Sequence, residues 1–316
     1  METNGTELAH IPVLRDEVIA FLRIEPGKKY IDTTVGGGGH AEAILKGGGE
    51  LLGIDFDPKA LEITKKHLAI ACPARQKLSS KTTAGGPMDV YPWRLIHGNF
   101  TKLKEIADLN GFIPADGILF DLGISSYQLD EPRRGFSFSS NEPLDMRINP
   151  KEQAVTAKDL INGLNEGELY ELFTKLGEEH FSRPIARHLC RARRVKPIET
   201  GLELAEIIES AVPLRVRFSH SPATNVFRAL RMAVNDELNN LKEALPQANE
   251  ILAKKGRLVV LSFQSLEDRI VKNYFKEQEK EGSLKILTDK PVIPSSEEVQ
   301  ANPRSRSTKL RAAEKL

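Results

Sequence analysis

The segment Ile31-Asp32-Thr33-Thr34-Val35 runs straight into four glycines, Gly36 to Gly39, and then His40. Glycine loses more conformational freedom on folding than any other residue, so four in a row mark a place where something must come close to the backbone. An apolar run precedes them and a helical pattern follows. That is where a parallel α/β sheet holds ligands, at the carboxyl end of a strand and the N-terminus of a helix. Asp55 closes the next apolar run, nineteen residues after Gly36. A carboxylate there suits hydrogen bonds to ribose hydroxyls, and the pair implies a nucleoside-containing cofactor. A tight turn with a helix-capping aspartate is the simpler alternative, but it needs fewer glycines.

Two cofactors fit. Gly36, Gly38 and the small Ala41 loosely satisfy a dinucleotide fingerprint, which admits NAD. S-adenosyl-L-methionine is the other, because its enzymes use the same loop and the same acid. A third element joins these two. Asp121 ends a further apolar run, and Ser125, Ser126 and Gln128 follow it, so they line the same rim. Amino-group methyltransferases often carry Asp/Asn-Pro-Pro-aromatic at this place, whereas this chain has Asp121-Leu122-Gly123-Ile124.

The elements that must position these residues alternate. Lys29–Asp32, Leu51–Ile54, Arg94–Ile96 and Gly117–Phe120 read as strands. His40–Lys46 and a stretch beginning at Pro58 read as helices, the proline suiting a first helical turn. Strand and helix in alternation predict a parallel sheet covered on both faces. From Thr156 to about Val212 the pattern is one of short helices. A longer helix, Thr224 to about Leu245, precedes a clean strand, Arg257–Phe263, and the amphipathic helix of SLEDRIVKNYFKEQEK. Leu284–Leu287 and Thr308–Arg311 are strand-like, with a proline-containing turn region between them. They are expected to pair as an antiparallel hairpin, which favours S-adenosyl-L-methionine by fold analogy. The expected class is α/β, a Rossmann-like methyltransferase sheet with a terminal antiparallel hairpin and an inserted helical subdomain. Its divisions are 1–130, an inserted 131–217 and 218–316. Residues 71–93 have little periodicity and read as a long loop.

Charge is informative in its distribution. The formal net charge is +1, yet Arg183–Lys196 carries six basic residues and no acid, and Asn302–Arg311 carries four. Such stretches suit an anionic partner or a solvated helix face. On a helix, Arg183, Arg187, Arg191 and Arg194 share one face while Ile185 and Leu189 point elsewhere. Apolar residues make up 40% of the chain, enough for a sizeable core. No run is long enough to span a membrane and no signal-peptide core follows the polar start. Cys72 and Cys190 lack metal or redox spacing, which makes a reducing cytoplasm the expectation and gives no metal site.

Eight ordered blocks carry a resemblance: HIPVL, Asp32-x-Thr34-x-Gly36-x-Gly38-Gly39-His40, DLGISSYQLD, RGFSF, PLDMR, ALRMAVNDEL, SFQSLEDRIVK and NPRSRSTKLR. Together they resemble the bacterial MraW (RsmH) family of small-subunit ribosomal RNA cytosine-N4 methyltransferases, over nearly the whole chain except about 70–93. The resemblance implies S-adenosyl-L-methionine as donor and a decoding-region cytidine of 16S ribosomal RNA as acceptor. It places the cofactor on positions matching Gly38, Gly39, His40, Asp55, Phe100, Asp121 and Gln128. Gly36 also matches the family's glycine positions, whereas Gly37 falls at a variable one. Two departures stand out. Gln264 occupies the place where the family usually has histidine, and the 71–93 loop is longer than usual.

Exocyclic amine chemistry asks for acceptors on the amino hydrogens and an unstacked base. Asp145, Ser125, Ser126 and Asn235 are the candidates. Each has a structural alternative: an Asp145–Arg147 ion pair, serines shaping a turn, and an Asn235 bond within its helix. His40 is expected to position the cofactor, and His10, His67, His97, His180, His188 and His220 to be ordinary. Arg183, Arg187, Arg191 and Arg194 are the expected contacts to RNA phosphates, with Arg304, Arg306 and Arg311 as additions. The expected partner is small-subunit ribosomal RNA within the subunit, in the cytoplasm and away from membranes. A homodimer is compatible with the sequence. Two rivals are an NAD-dependent oxidoreductase and a non-catalytic RNA-binding assembly factor that keeps a cofactor pocket.

Overall fold

Neighbouring residues of a strand point to opposite faces, and the apolar clusters follow that rule. Ile31, Ile118, Phe120, Leu258 and Val260 fall in one buried cluster, while Tyr30, Leu119, Val259 and Leu261 fall in another. Both faces are therefore covered, and this is why these strands read as continuous apolar runs. The computed structural model describes residues 12–73, 91–131, 134–137, 141–215 and 222–316. His10, His220, most of the 71–93 loop and parts of the HIPVL and RGFSF blocks lie outside them.

Among the described residues, seven strands form one sheet in the order β3-β2-β1-β4-β5-β7-β6. They are β1 (Lys29–Asp32), β2 (Glu50–Asp55), β3 (Trp93–His97), β4 (Ala115–Asp121), β5 (Leu252–Ser262), β6 (Leu284–Ile286) and β7 (Lys309–Lys315). The first five pair in parallel, and β7 lies antiparallel between β5 and β6. The expected hairpin is present. Its connection holds a helix, Ser296–Ala301, and a 3-10 turn, Pro303–Ser307, where only a turn region was expected. Ser295 caps that helix by accepting from the Glu298 N–H, a Ser-x-x-Glu signal visible in the sequence.

By its contacts the chain divides into two units, one up to Gly123 with Asn240–Leu316, the other Ile124–Asn239. The second is wider than the 131–217 stretch expected to be inserted, because the helix Pro222–Val234 packs in its core. Val226, Phe227, Ala229 and Leu230 of that helix share a cluster with Leu169, Phe173, Ile185 and Leu189. The single helix expected over 224–245 is two, Pro222–Val234 and Glu237–Ile251. The break lies at Asn235 and Asp236. Asp236 has φ 49°, and the Asn235 amide folds back to donate to the Arg231 carbonyl at 2.8 Å. Among the described residues no helix is long and apolar enough to cross a membrane.

Candidate active site

In the first unit the glycine run is held from three sides. The Gly36 N–H donates to Asp55 Oδ2 at 2.9 Å, the Gly36 carbonyl accepts from the Thr64 hydroxyl, and the Val35 N–H reaches the Ile54 carbonyl at 2.9 Å. Gly36 and Gly38 have φ of 51° and 87°, a region that side chains rarely adopt. Gly38 is the N-cap of the helix Gly39–Lys46. A Cβ on Gly38 would lie 3.0 Å from Thr64 Cγ2, and one on Gly39 3.0 Å from the Pro12 ring. At Gly37 a Cβ meets nothing within 4 Å. Gly37→Ala is therefore expected to leave the melting temperature within about 2 °C and ligand affinity within about threefold of the parent. Gly38→Ala forces a left-handed residue at a cost of roughly 1–2 kcal/mol and should cut affinity at least about tenfold (~1.4 kcal/mol). Calorimetric titration of both variants checks this, and equal losses would show that the ligand passes over Gly37.

Asp55 ends β2 and works with both oxygens. Oδ2 takes the Gly36 N–H and Oδ1 the Asp57 N–H at 2.8 Å. Burial raises its carboxyl to about 6 despite those bonds. Asp57 caps the helix Pro58–Ala71 by accepting from Lys59. Asp32, at the end of β1, is 1% exposed, and burial, with Asp55 nearby, raises its carboxyl to about 7. Asp32 is a motif residue to which the sequence assigns no role. Its signal was an acid closing an apolar strand.

Asp121 ends β4 and is tied to β1 through its N–H, which donates to Thr34 Oγ1 at 2.8 Å. Its Oδ2 lies 3.6 Å from Nε2 of the buried His40. Its Oδ1 is buried with no hydrogen-bond partner. Burial pushes this carboxyl well above the usual range, and Asp32 and Glu267 beside it push further. Glu267 lies in the first turn of the helix Ser265–Lys280, after β5. It accepts from the Phe263 N–H at 3.0 Å and from Gln264 Nε2 at 2.9 Å. Phe100 follows β3 and packs edge-on against Phe120, ring centres 5.7 Å apart. The Gly98 N–H ties that turn to the Asp55 carbonyl at 3.0 Å. The fold thus brings Gly36, Gly38, Gly39, His40, Asp55, Phe100 and Asp121 to the carboxyl ends of β1, β2, β3 and β4.

These residues fit a nucleoside carrying positive charge. Four carboxyl groups neighbour one another through Asp55, Asp32, Asp121 and Glu267, and one of them keeps a buried acceptor without a partner. A cation beside them favours their charged form, whereas a pyrophosphate would oppose it.

Other expected residues lie in the second unit. Ser125 caps the helix Ser126–Asp130: its Oγ accepts from the Gln128 N–H and Gln128 Oε1 from the Ser125 N–H. Gln128 is buried, and the Ser126 side chain lies outside the described set. Asp145 grips Arg147 through both oxygens at 2.7 and 2.8 Å. Asn235 is a correction. Its Oδ1 accepts from Ile148 N–H and Gln153 Nε2, and its Nδ2 donates to the Met146 and Arg231 carbonyls. Those four bonds match the amide's two lone pairs and two N–H groups, so it positions the 146–153 loop instead of facing a base.

The helix Ser182–Ala192 exposes Arg183, Arg187 and Arg191 and buries Ile185 and Leu189, as the periodicity requires. Arg194 is exposed just beyond its end. Arg183 lies over the Tyr170 ring and Arg187 pairs with Glu166 at 3.5 Å. Arg311, expected to face RNA, is 7% exposed and bound to Asp268 at 2.6 Å. Basic content alone could not reveal a partner 43 positions away.

Comparison with known proteins adds three findings. The profile of the MraW methylase family matches residues 7–316. Proteins named ribosomal RNA small subunit methyltransferase H are similar along nearly the full chain. The one from Dehalococcoides mccartyi is 44% identical, covering 98% of this chain and 87% of its own. The one from Heliobacterium mobile is 42% identical, covering 98% and 100%. A solved rRNA methylase from Streptococcus thermophilus is 13% identical, covering 96% of this chain and 93% of its own, with a TM-score of 0.41.

Proposed function

The chain belongs to the MraW methylase family, and from that premise we propose that it methylates the exocyclic N4 amine of a cytidine in the decoding region of small-subunit ribosomal RNA. It is an S-adenosyl-L-methionine-dependent methyltransferase. The observation that supports this donor is Asp121, with a buried oxygen that lacks a hydrogen-bond partner and with Asp32 and Glu267 beside it, a setting whose charged form a cation favours and a pyrophosphate opposes. When bound, S-adenosyl-L-methionine supplies a methyl group on a positively charged sulfur.

The chain's own residues do the rest. Asp55 holds the glycine loop closed from beneath and offers its remaining lone pairs to ribose hydroxyls. Phe100 gives the adenine an apolar wall, and Asp121 with His40 faces the cationic part. The loop N–H groups, His40 and Gln128 orient. As the new N–C bond forms, the methyl–sulfur bond breaks and the amine sheds one proton, late, to an acceptor hydrogen-bonded to it and from there to water. Ser125, Ser126 and Asp145 are assigned contact with the base amine, with Asn235 supporting the loop that carries Asp145 and Arg147. The reaction is placed in the cytoplasm, on RNA within the ribosomal subunit.

Arg183, Arg187, Arg191 and Arg194 are assigned to RNA phosphates. Replacing Arg187, Arg191 and Arg194 with alanine should weaken RNA binding about tenfold or more and reduce the log–log salt slope by about 2. Donor affinity should not change. Filter binding at several salt concentrations reads this, and a collapse of donor binding instead would make the stripe structural.

The deciding experiment is transfer of labelled methyl to small subunits lacking the modification, followed by nucleoside analysis. N4-methylcytidine is expected. Label on ribose or uridine refutes the chemistry. Donor binding without any transfer favours an assembly factor, and NAD binding without S-adenosyl-L-methionine binding favours an oxidoreductase.

A further inference from the structure

Gln264 follows β5 by two positions and is 8% exposed. Its amide is not free to choose an orientation. Glu267 Oε1 lies 2.9 Å from Gln264 Nε2. A carboxylate only accepts, so the amide nitrogen must face it and the amide oxygen must face away. That oxygen is buried and has no hydrogen-bond partner. An unmet buried acceptor costs about 1–3 kcal/mol, so it calls for an explanation. Asp121 closes β4, which pairs with β5 through Asp121 and Leu261, and it too has a buried oxygen without a partner. Glu267 neighbours both residues. Two unmet acceptors thus stand at the ends of adjacent strands.

We propose that Gln264 Oε1 accepts a hydrogen bond from the exocyclic amine of the target base, and that Glu267 locks the amide so that only an acceptor is presented. This rests on the methyl-transfer reading above and adds the residue that selects an amine. An unlocked glutamine presents either a donor or an acceptor and would tolerate a keto base. A locked one leaves uracil's O4 facing an oxygen, an unpaired clash that sites of this kind reject strongly. An amide oxygen is too weak a base to take the amine's proton, so Gln264 orients the nitrogen and the proton goes to another group.

The test uses Gln264→Leu and Gln264→His in the full chain, with unmodified small subunits as substrate. Gln264→Leu should lower kcat by about 30-fold or more, with donor affinity within about threefold by calorimetry; losing one aligned group at a reacting centre has effects on the order of 10²-fold. Histidine offers an acceptor only when neutral. The ratio of Gln264→His to parent turnover should therefore be highest near pH 8 and fall as pH drops through about 6.5. A merely structural Gln264 would give a ratio that does not depend on pH. Parent-like turnover in Gln264→Leu, a donor affinity loss matching its kcat loss, or a flat ratio for Gln264→His each overturns the inference. A parent chain that methylates no RNA sinks the functional reading itself, which separates the two failures.

Discussion

Asp55→Ala is expected to weaken S-adenosyl-L-methionine binding at least about 100-fold, some 2.7 kcal/mol, and to abolish detectable methyl transfer. The variant loses three things at once. Gly36 and Asp57 lose the carboxylate oxygens that hold their N–H groups at 2.9 and 2.8 Å, and the ribose of the proposed donor loses its acceptor. Hydrogen bonds to a charged group contribute about 1.5–3 kcal/mol each. Asp55→Asn should fall between variant and parent, because its amide nitrogen must turn toward one of the two N–H groups, donor against donor. Calorimetric titration ranks the three proteins. Parent-like affinity in Asp55→Ala would remove this residue from the site.

Asp32→Asn is expected to act in opposite directions on stability and function. The folded chain keeps the Asp32 proton up to about pH 7, against 3.8 for the ordinary carboxyl. Between those values the folded state binds more protons than the unfolded one, so stability falls as pH rises. The penalty is absent below about pH 4 and complete above about pH 7. Asparagine keeps the oxygen that accepts from the Thr34 N–H at 3.1 Å and carries no charge. The variant should therefore gain up to roughly 4 kcal/mol at pH 8 in the ligand-free protein and little at pH 4. Donor affinity at pH 8 should fall about tenfold, because one of the neighbouring carboxylates is gone. Thermal melts at a series of pH values decide it, and parallel curves for parent and variant would overturn it.

The sheet was legible because both its faces are buried. β1 begins and ends where the apolar run Lys29–Asp32 does, and the terminal hairpin followed from two strand-like segments joined by a long proline-containing turn region. The loop was legible too, since four glycines and an acid at the next strand end leave few alternatives. Other features turn on contacts that spacing does not encode. Periodicity runs unbroken through Val234-Asn235-Asp236, so the helix break there emerges only from the Asn235 bonds to the 146–153 loop. Arg311 read as a basic tail residue because Asp268, its buried partner, is remote in sequence. Gln264 drew notice as a departure from the family, but its significance lies in the Glu267 contact that fixes its orientation.

If the donor sits as proposed, the carboxyl groups of Asp32, Asp55, Asp121 and Glu267 also bear on how the spent ligand departs. The donor arrives with a positive sulfur and leaves as a neutral thioether. Attraction between that charge and each nearby carboxylate, about 4 kcal/mol for a pair 4 Å apart at an effective dielectric of 20, disappears with the methyl group. The fresh ligand is held by charge and the used one is not. On the proposed reading, the reaction itself removes the tether, and release is favoured by the same strand ends that favour donor binding.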